Sequence, residues 1–297
     1  MEEILRVEGL SKTFTLSKKQ QKIERTTVRK KVAVDNLSFT AYRGEIFGLL
    51  GPNGAGKTTT LRMLATLIKP DSGDAVLEGY SVVQQEEEVR SRIAFLTSEL
   101  KLEDFFTPNY LYDFFSRLHG VPEHEAAERK RAMFERFGID KFAEVKVQNL
   151  STGMKQKASI VISLAHNPDI IIFDEPTNGL DIPSKTLFRQ VIAKHANDDR
   201  TIIISTHQVK DVENLIDPII ILDHDEVLLK ASFRDITDRL YFDYGMEKDD
   251  IALYSEMIPG GYVNVTRNPE GLDSKVSIEV LFNTVMKNKE TIKQLFS

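Results

Sequence analysis

Leu37, Phe39 and Ala41 alternate with polar neighbours, a period of two that marks Val32–Tyr42 as a strand with one buried face. Ile4–Leu16 reads as a strand as well, and Gly44 turns the chain into a third, Glu45–Leu50. A helix is predicted from Lys57 to Ile68, stopped by Pro70, and Ile93–Thr97 reads as a buried strand. From Pro108 to Phe137 the pattern is helical, broken at Gly120-Val121-Pro122, and Gly153–His166 is another helix. Ile170–Phe173 is a continuous apolar run, as in a parallel strand covered on both faces. Pro183 suits the first position of a helix that ends near Asn197. Thr201–Ser205 and Pro218–Asp223 are two further buried strands. Strands alternating with helices predict an α/β domain around a largely parallel sheet.

After Ala231 the texture changes. Turn residues cluster at Pro259-Gly260-Gly261 and Asn268-Pro269-Glu270-Gly271, Val276–Phe282 reads as a strand, and Thr284–Phe296 as a final helix. The expected division is a main domain over residues 1–231 and a small α+β appendage over 232–297.

Composition narrows the class. The chain has 297 residues and no cysteine, which excludes disulfides and thiolate metal sites and favours a reducing cytoplasm. Its apolar runs are strand-sized, far short of the ~20 residues that span a bilayer. A net charge of −6 argues against a general nucleic-acid binder. That charge is uneven: Ser17–Lys31 holds seven bases and one acid, Glu24, so this segment is +6 and the remainder −12. Either it is a solvated loop or hairpin tip, or it meets anionic lipid headgroups or an acidic partner. Glu86–Glu88 is read as the wet face of a helix.

Two motifs carry chemistry. Gly51-Pro52-Asn53-Gly54-Ala55-Gly56-Lys57-Thr58 lies between a predicted strand and a predicted helix. Its glycines let the backbone wrap a polyphosphate with N–H groups pointing inward, and the helix adds its positive N-terminal end. Lys57 then neutralises the β- and γ-phosphates and the Thr58 hydroxyl can ligate Mg²⁺. The second motif is Ile170-Ile171-Ile172-Phe173-Asp174-Glu175, an apolar strand ending in two carboxylates at the edge where open parallel sheets bind ligands. Asp174 can hold Mg²⁺, and Glu175 can orient or deprotonate an attacking water.

With these in place, the chain resembles the nucleotide-binding subunit of ATP-binding-cassette transporters over residues 4–230. Leu150-Ser151-Thr152-Gly153-Met154 stands at the family's signature, 94 residues beyond Lys57, and Asp174 follows Ser151 by 23. Gly179-Leu180-Asp181 resembles the D-loop, and Ser205-Thr206-His207 the switch-histidine loop. The Ser-Thr-Gly-Met signature most resembles the sodium- or drug-efflux branch of bacterial exporters. The resemblance implies a P-loop NTPase fold with a mostly parallel core sheet, an antiparallel β subdomain and an α-helical subdomain, followed here by the appendage.

It also implies a site for ATP and Mg²⁺. Phe14 would lie against adenine, or else be a packed strand residue. Gly51, Asn53, Gly54, Ala55, Gly56, Lys57, Thr58 and Thr59 would surround the phosphates. Thr58, Asp174 and Ser98 would face the metal, Glu175 would act as the catalytic base, and His207 would sense the γ-phosphate. Two cassettes, identical or paralogous, would pair head to tail, so that Ser151 and Gly153 of one meet the γ-phosphate held by the other; Ser151 also reads as a plain helix N-cap. Asp181 would organise that interface. Two positions depart from the pattern. Thr152 replaces a second glycine, and Ser98, followed by Glu99, stands where the family has a metal-binding glutamine. The expected function is an ATPase that drives export through a separate transmembrane permease docked on the 108–137 helices, at the cytoplasmic face of the cell membrane and without nucleic acid. The competing reading is a soluble cassette ATPase acting on ribosomes or DNA; single-cassette length and the short signature spacing weigh against it.

Overall fold

The computed structural model describes residues 2–23, 27–97, 102–197, 200–213, 215–223 and 226–296. Two long strands, β1 (Glu3–Thr15) and β2 (Lys30–Tyr42), enclose the short helix α1 (Lys18–Ile23). The basic segment thus contains a helical turn, which its Lys-Lys-Gln-Gln-Lys run favours intrinsically. Then follow β3 (Ile46–Leu50), α2 (Lys57–Leu64), β4 (Ser72–Leu77), β5 (Tyr80–Ser81), α3 (Glu86–Arg92) and β6 (Ile93–Thr97). The helical layer is α4 (Pro108–Leu118), α5 (Glu123–Phe137) and α6 (Thr152–Ser163). β7 (Ile170–Asp174), α7 (Ile182–Asn197), β8 (Thr201–Thr206), β9 (Ile219–Asp223) and β10 (Glu226–Ala231) complete the main sheet. Beyond them lie α8 (Phe233–Arg239), β11 (Leu240–Gly245), β12 (Tyr254–Ile258), β13 (Gly261–Arg267), α9 (Ile278–Lys287) and α10 (Lys289–Phe296).

The central sheet runs β10-β9-β3-β8-β7-β6, parallel except for the edge strand β10. Its inner strands β9, β3, β8 and β7 are buried on both faces. Along β7, Ile171 and Phe173 enter one apolar cluster with Leu111, Tyr112, Phe134 and Phe188, while Ile170 and Ile172 enter another with Phe39, Phe47 and Leu61. The second cluster is roofed by the antiparallel sheet β2-β1-β4-β5. These layers match the α/β domain with a largely parallel sheet expected from the pattern of elements, and the antiparallel β and helical subdomains that the family resemblance implies.

The strand expected at Val276–Phe282 is instead the first half of α9. Ile278, Leu281 and Val285 are fully buried at helical spacing, and Thr284 Oγ1 donates to the Val280 carbonyl one turn back. The same residues also alternate apolar at 278, 280 and 282, so the local pattern fits both periods and packing decides. α2 ends at Leu64, four residues before the expected Ile68. Ser232 caps α8 in a reciprocal capping box with Asp235, directly after β10. The appendage sheet, β11-β13-β12, is antiparallel, and α9 packs into the same apolar cluster as the helical layer.

Candidate functional site

The parallel register brings four strand ends together. Leu50 of β3 pairs with Thr206 of β8, and Asp174 of β7 pairs with Ser205 and with Thr97 of β6. The phosphate-type loop, the two carboxylates and the histidine therefore leave the sheet side by side at its carboxyl edge. Gly56 enters α2 at φ +89, and a Cβ there would sit 2.3 Å from the Ala33 carbonyl oxygen, so this corner accepts only glycine. No side chain caps the first turn of α2, which leaves its N-terminal N–H groups free of side-chain competition for an anion.

Lys57 is buried beneath this loop. Its Nζ donates to the Gly51 carbonyl at 2.7 Å and to that of Pro52 at 3.0 Å. Burial pushes its pKa below the ordinary lysine value, against the opposing pull of Glu175 and Asp174. Asp174 is also buried, and accepts hydrogen bonds from Ser205 Oγ and, at 3.4 Å, from Thr97 Oγ1.

Glu175 adopts φ +53, a left-handed conformation costly for a residue with a Cβ. Its backbone N–H donates to the Ser205 carbonyl, and its carboxylate is held by the next strand's end. Thr206 Oγ1 donates to Oε2 at 3.1 Å, the His207 N–H donates to Oε1 at 3.0 Å, and His207 Nδ1 lies 2.6 Å from that same oxygen.

Above these groups opens a cavity of about 470 Å³. Asn53, Gly54, Ala55, Gly56, Lys57, Thr58 and Thr59 form one wall, Glu175 and His207 another, and Phe14 the far end. Most of the residues singled out from sequence thus share one space. The sequence reading missed Asn178, which lines the cavity and accepts from Gln208 Nε2 at 3.1 Å, and Lys31, the cross-strand neighbour of Phe14. Its signal was position: Asn178 lies between Glu175 and the Gly179 turn.

Ser151, Gly153 and Asp181 are placed differently, since none of them lines this cavity. Ser151 caps α6, accepting from the Met154 N–H at 3.3 Å, and Gly153 lies against the Gly179 backbone. Asp181 caps α7 by accepting from the Ser184 N–H at 2.9 Å, and hydrogen bonding from Ser184 holds its carboxyl below the usual carboxylate range. Ser98 and Glu99 lie outside the described residues. Of the hard-oxygen groups expected at a Mg²⁺, Thr58 lines the cavity, whereas Asp174 is buried directly before Glu175 and does not line it. Hydroxyl and carboxylate together are still the donor chemistry that suits a Mg²⁺ keeping waters and binding phosphate.

On the outer face of the helical layer, Phe106, Tyr110 and Phe114 stack in a row with ring centroids 4.6 and 6.3 Å apart. Tyr110 and Phe114 border a groove of about 510 Å³, rimmed by Asp113, Arg117 and Glu144. Phe105 is 72% exposed and Leu118 65%, so the whole ridge is open.

Comparison with known proteins identifies the family. The ABC transporter family matches residues 34–178. The chain is 38% identical over 235 residues to the ABC transporter ATP-binding protein NatA of Bacillus subtilis (strain 168), covering 78% of this chain and 94% of that one. It is 34% identical over 221 residues to the Nod factor export ATP-binding protein I of Ralstonia nicotianae, covering 74% and 64%. Among solved structures, an ATP binding subunit of an ABC transporter superimposes with a TM-score of 0.69 at 26% identity, covering 78% of this chain and 91% of that one.

Proposed function

The chain belongs to the ABC transporter family as an ATP-binding, ATP-hydrolysing cassette, and on that premise we propose that it drives an exporter whose membrane-spanning part is a separate polypeptide. No helix among the described residues is long and apolar enough to cross a membrane. The efflux direction is supported by relatives whose names speak of export, as for the Nod factor protein. The ribosome- or DNA-directed alternative finds no support among these relatives.

The observation that carries the mechanism is the shared cavity: Lys57 and the α2 N-terminus at one wall, Glu175 and His207 at the other. ATP would lay its polyphosphate along the 51–59 loop, with the adenine stacked on Phe14. Thr58 and Asp174 would hold Mg²⁺, which supplies charge neutralisation for the β- and γ-oxygens. Ser98 enters this reading as a metal ligand from the family pattern alone, since it lies outside the described residues. Glu175 would orient the attacking water and receive its proton, while His207 meets the γ-phosphate. Ser151 and Gly153 lie outside this cavity, which supports a role toward the nucleotide of a second, head-to-tail cassette, with Asp181 at that interface.

The stacked ridge Phe106-Tyr110-Phe114 is proposed as the permease dock, placing the cassette at the cytoplasmic face of the membrane. Purification of the tagged chain from detergent-solubilised membranes, with mass spectrometry of what accompanies it, tests this. A polytopic partner in near-equal amount is expected; ribosomal proteins or DNA instead would overturn the reading.

A further inference from the structure

The turn that follows His207 is gripped from two sides. On the catalytic side, Asp211 Oδ2 accepts from Thr177 Oγ1 at 2.8 Å and from Lys185 Nζ at 2.7 Å. The Gln208 N–H donates to Thr206 Oγ1 at 2.9 Å, and that hydroxyl in turn donates to Glu175. On the opposite side the same turn, Val209–Asp211, meets the appendage. Lys210 Nζ lies 2.8 Å from Glu279 Oε2 in the first turn of α9, and the Ile278 N–H donates to Glu213 Oε1 at 3.3 Å. Beneath these polar contacts Val209, Val212, Ile278, Leu281 and Val285 are all buried in one apolar cluster. α9 therefore has a fixed seat, and its N-terminus is bonded to the segment that carries the histidine.

We propose that Glu279, from the appendage, is a positioning residue for ATP hydrolysis, holding through Lys210 the turn that sets His207 against Glu175. The inference rests on the roles proposed above for Glu175 and His207. It gives the appendage a task in turnover: α9 clamps the switch segment from behind while Asp211 and Gln208 tie it to the loop after Glu175. A displaced appendage would loosen that clamp without touching the nucleotide. The pair is solvent-exposed, with 72% and 43% of the two side chains accessible, so its effect is modest.

The test uses the full chain. Glu279→Gln should lower kcat about two- to fivefold with KM for ATP unchanged, because the contact acts on the switch and not on the nucleotide. Glu279→Asp should recover part of the loss. The double variant Lys210→Met/Glu279→Gln should lose no more than the more impaired single, as two residues acting through one contact do. Losses that multiply in the double, or a rise in KM in place of the fall in kcat, would overturn the positioning role. Wild-type kcat in Glu279→Gln, where His207→Ala is impaired, would overturn the clamp alone. Wild-type turnover in His207→Ala would overturn the reading of the site beneath it.

Discussion

His207 Nδ1 lies 2.6 Å from Glu175 Oε1, and the backbone N–H of His207 donates to that same oxygen at 3.0 Å. With Thr206 Oγ1 on the other oxygen, the end of β8 supplies every hydrogen bond that the Glu175 carboxylate makes among the described residues. The carboxylate proposed as the base and the histidine proposed as the switch are thus tied directly to each other by hydrogen bonds. In the neutral ring, a proton on Nδ1 donated to Glu175 leaves Nε2 as an acceptor; meeting a phosphate through Nε2 calls for the other tautomer or the charged ring.

Replacing Glu175 by Gln keeps the shape and an acceptor for one of its two partners, Thr206 or His207, and removes the basicity. Turnover should fall by about 10²-fold or more while ATP still binds. ATP should then hold the protein as a dimer on size-exclusion chromatography. Turnover within a few-fold of wild type would remove Glu175 from the reaction.

Lys57→Ala deletes the buried ammonium and leaves the Gly51 and Pro52 carbonyls without their donor. The loop loses both its charge toward phosphate and its internal tether, so ATP affinity should collapse in a nucleotide titration. The assignment of this loop fails if the variant binds ATP as tightly as wild type.

A pH dependence follows from the paired rings of His119 and His166, stacked with centroids 4.0 Å apart. Burial pushes His166 down to about 4, aided by the charge of its His119 neighbour, while its Nε2 lies 3.1 Å from the Ile93 carbonyl oxygen. The unfolded chain would protonate this histidine near 6.5, so between about 6.5 and 4 the unfolded state binds the additional proton. Stability contributed by the neutral ring is thus complete above that range and is lost as pH falls through it. His166→Gln should flatten this part of the Tm-against-pH curve; equal slopes for both proteins would show that another group is responsible.

The aromatic ridge can be separated from the proposed catalytic site, since Tyr110 and Phe114 line the outer groove and not the cavity along the 51–59 loop. Tyr110→Asp/Phe114→Asp should abolish co-purification of a membrane partner, an apolar contact with a buried charge being strongly unfavourable. ATP binding by the isolated protein should be unaffected. A partner retained in full would move the dock elsewhere.

The cavity was legible because its chemistry is written in short contiguous stretches. Residues 51–59 and 174–175 each need particular residue types at fixed spacing beside an apolar strand, and both signals are local. What escaped the sequence is what packing decides. α9 carries strand-like and helix-like apolar periods at once, and its seat against Val209 and Val212 settles the matter. Lys210–Glu279 joins positions 69 residues apart, and Asn178 matters only because β8 brings Gln208 beside it. No local pattern announces either contact.

Ser151 carries two readings that a single substitution can part. As the N-cap of α6 its hydroxyl accepts from the Met154 N–H, and Ser151→Ala should cost about 1 kcal/mol of stability through that bond alone. Loss of activity in the alanine variant would therefore be ambiguous. Asp is as good an N-cap as Ser, so Ser151→Asp keeps the helix start intact and favours its positive end. Opposite a γ-phosphate, however, the same carboxylate repels. If Ser151 only caps, the aspartate variant should retain its Tm and its ATPase rate. If Ser151 meets the nucleotide of a second cassette, Tm should hold while ATP-induced dimerisation and turnover are lost, most severely at low salt where charge repulsion is least screened. The second outcome is the one expected, because Ser151 is exposed at the start of α6 and lies outside the cavity of its own chain.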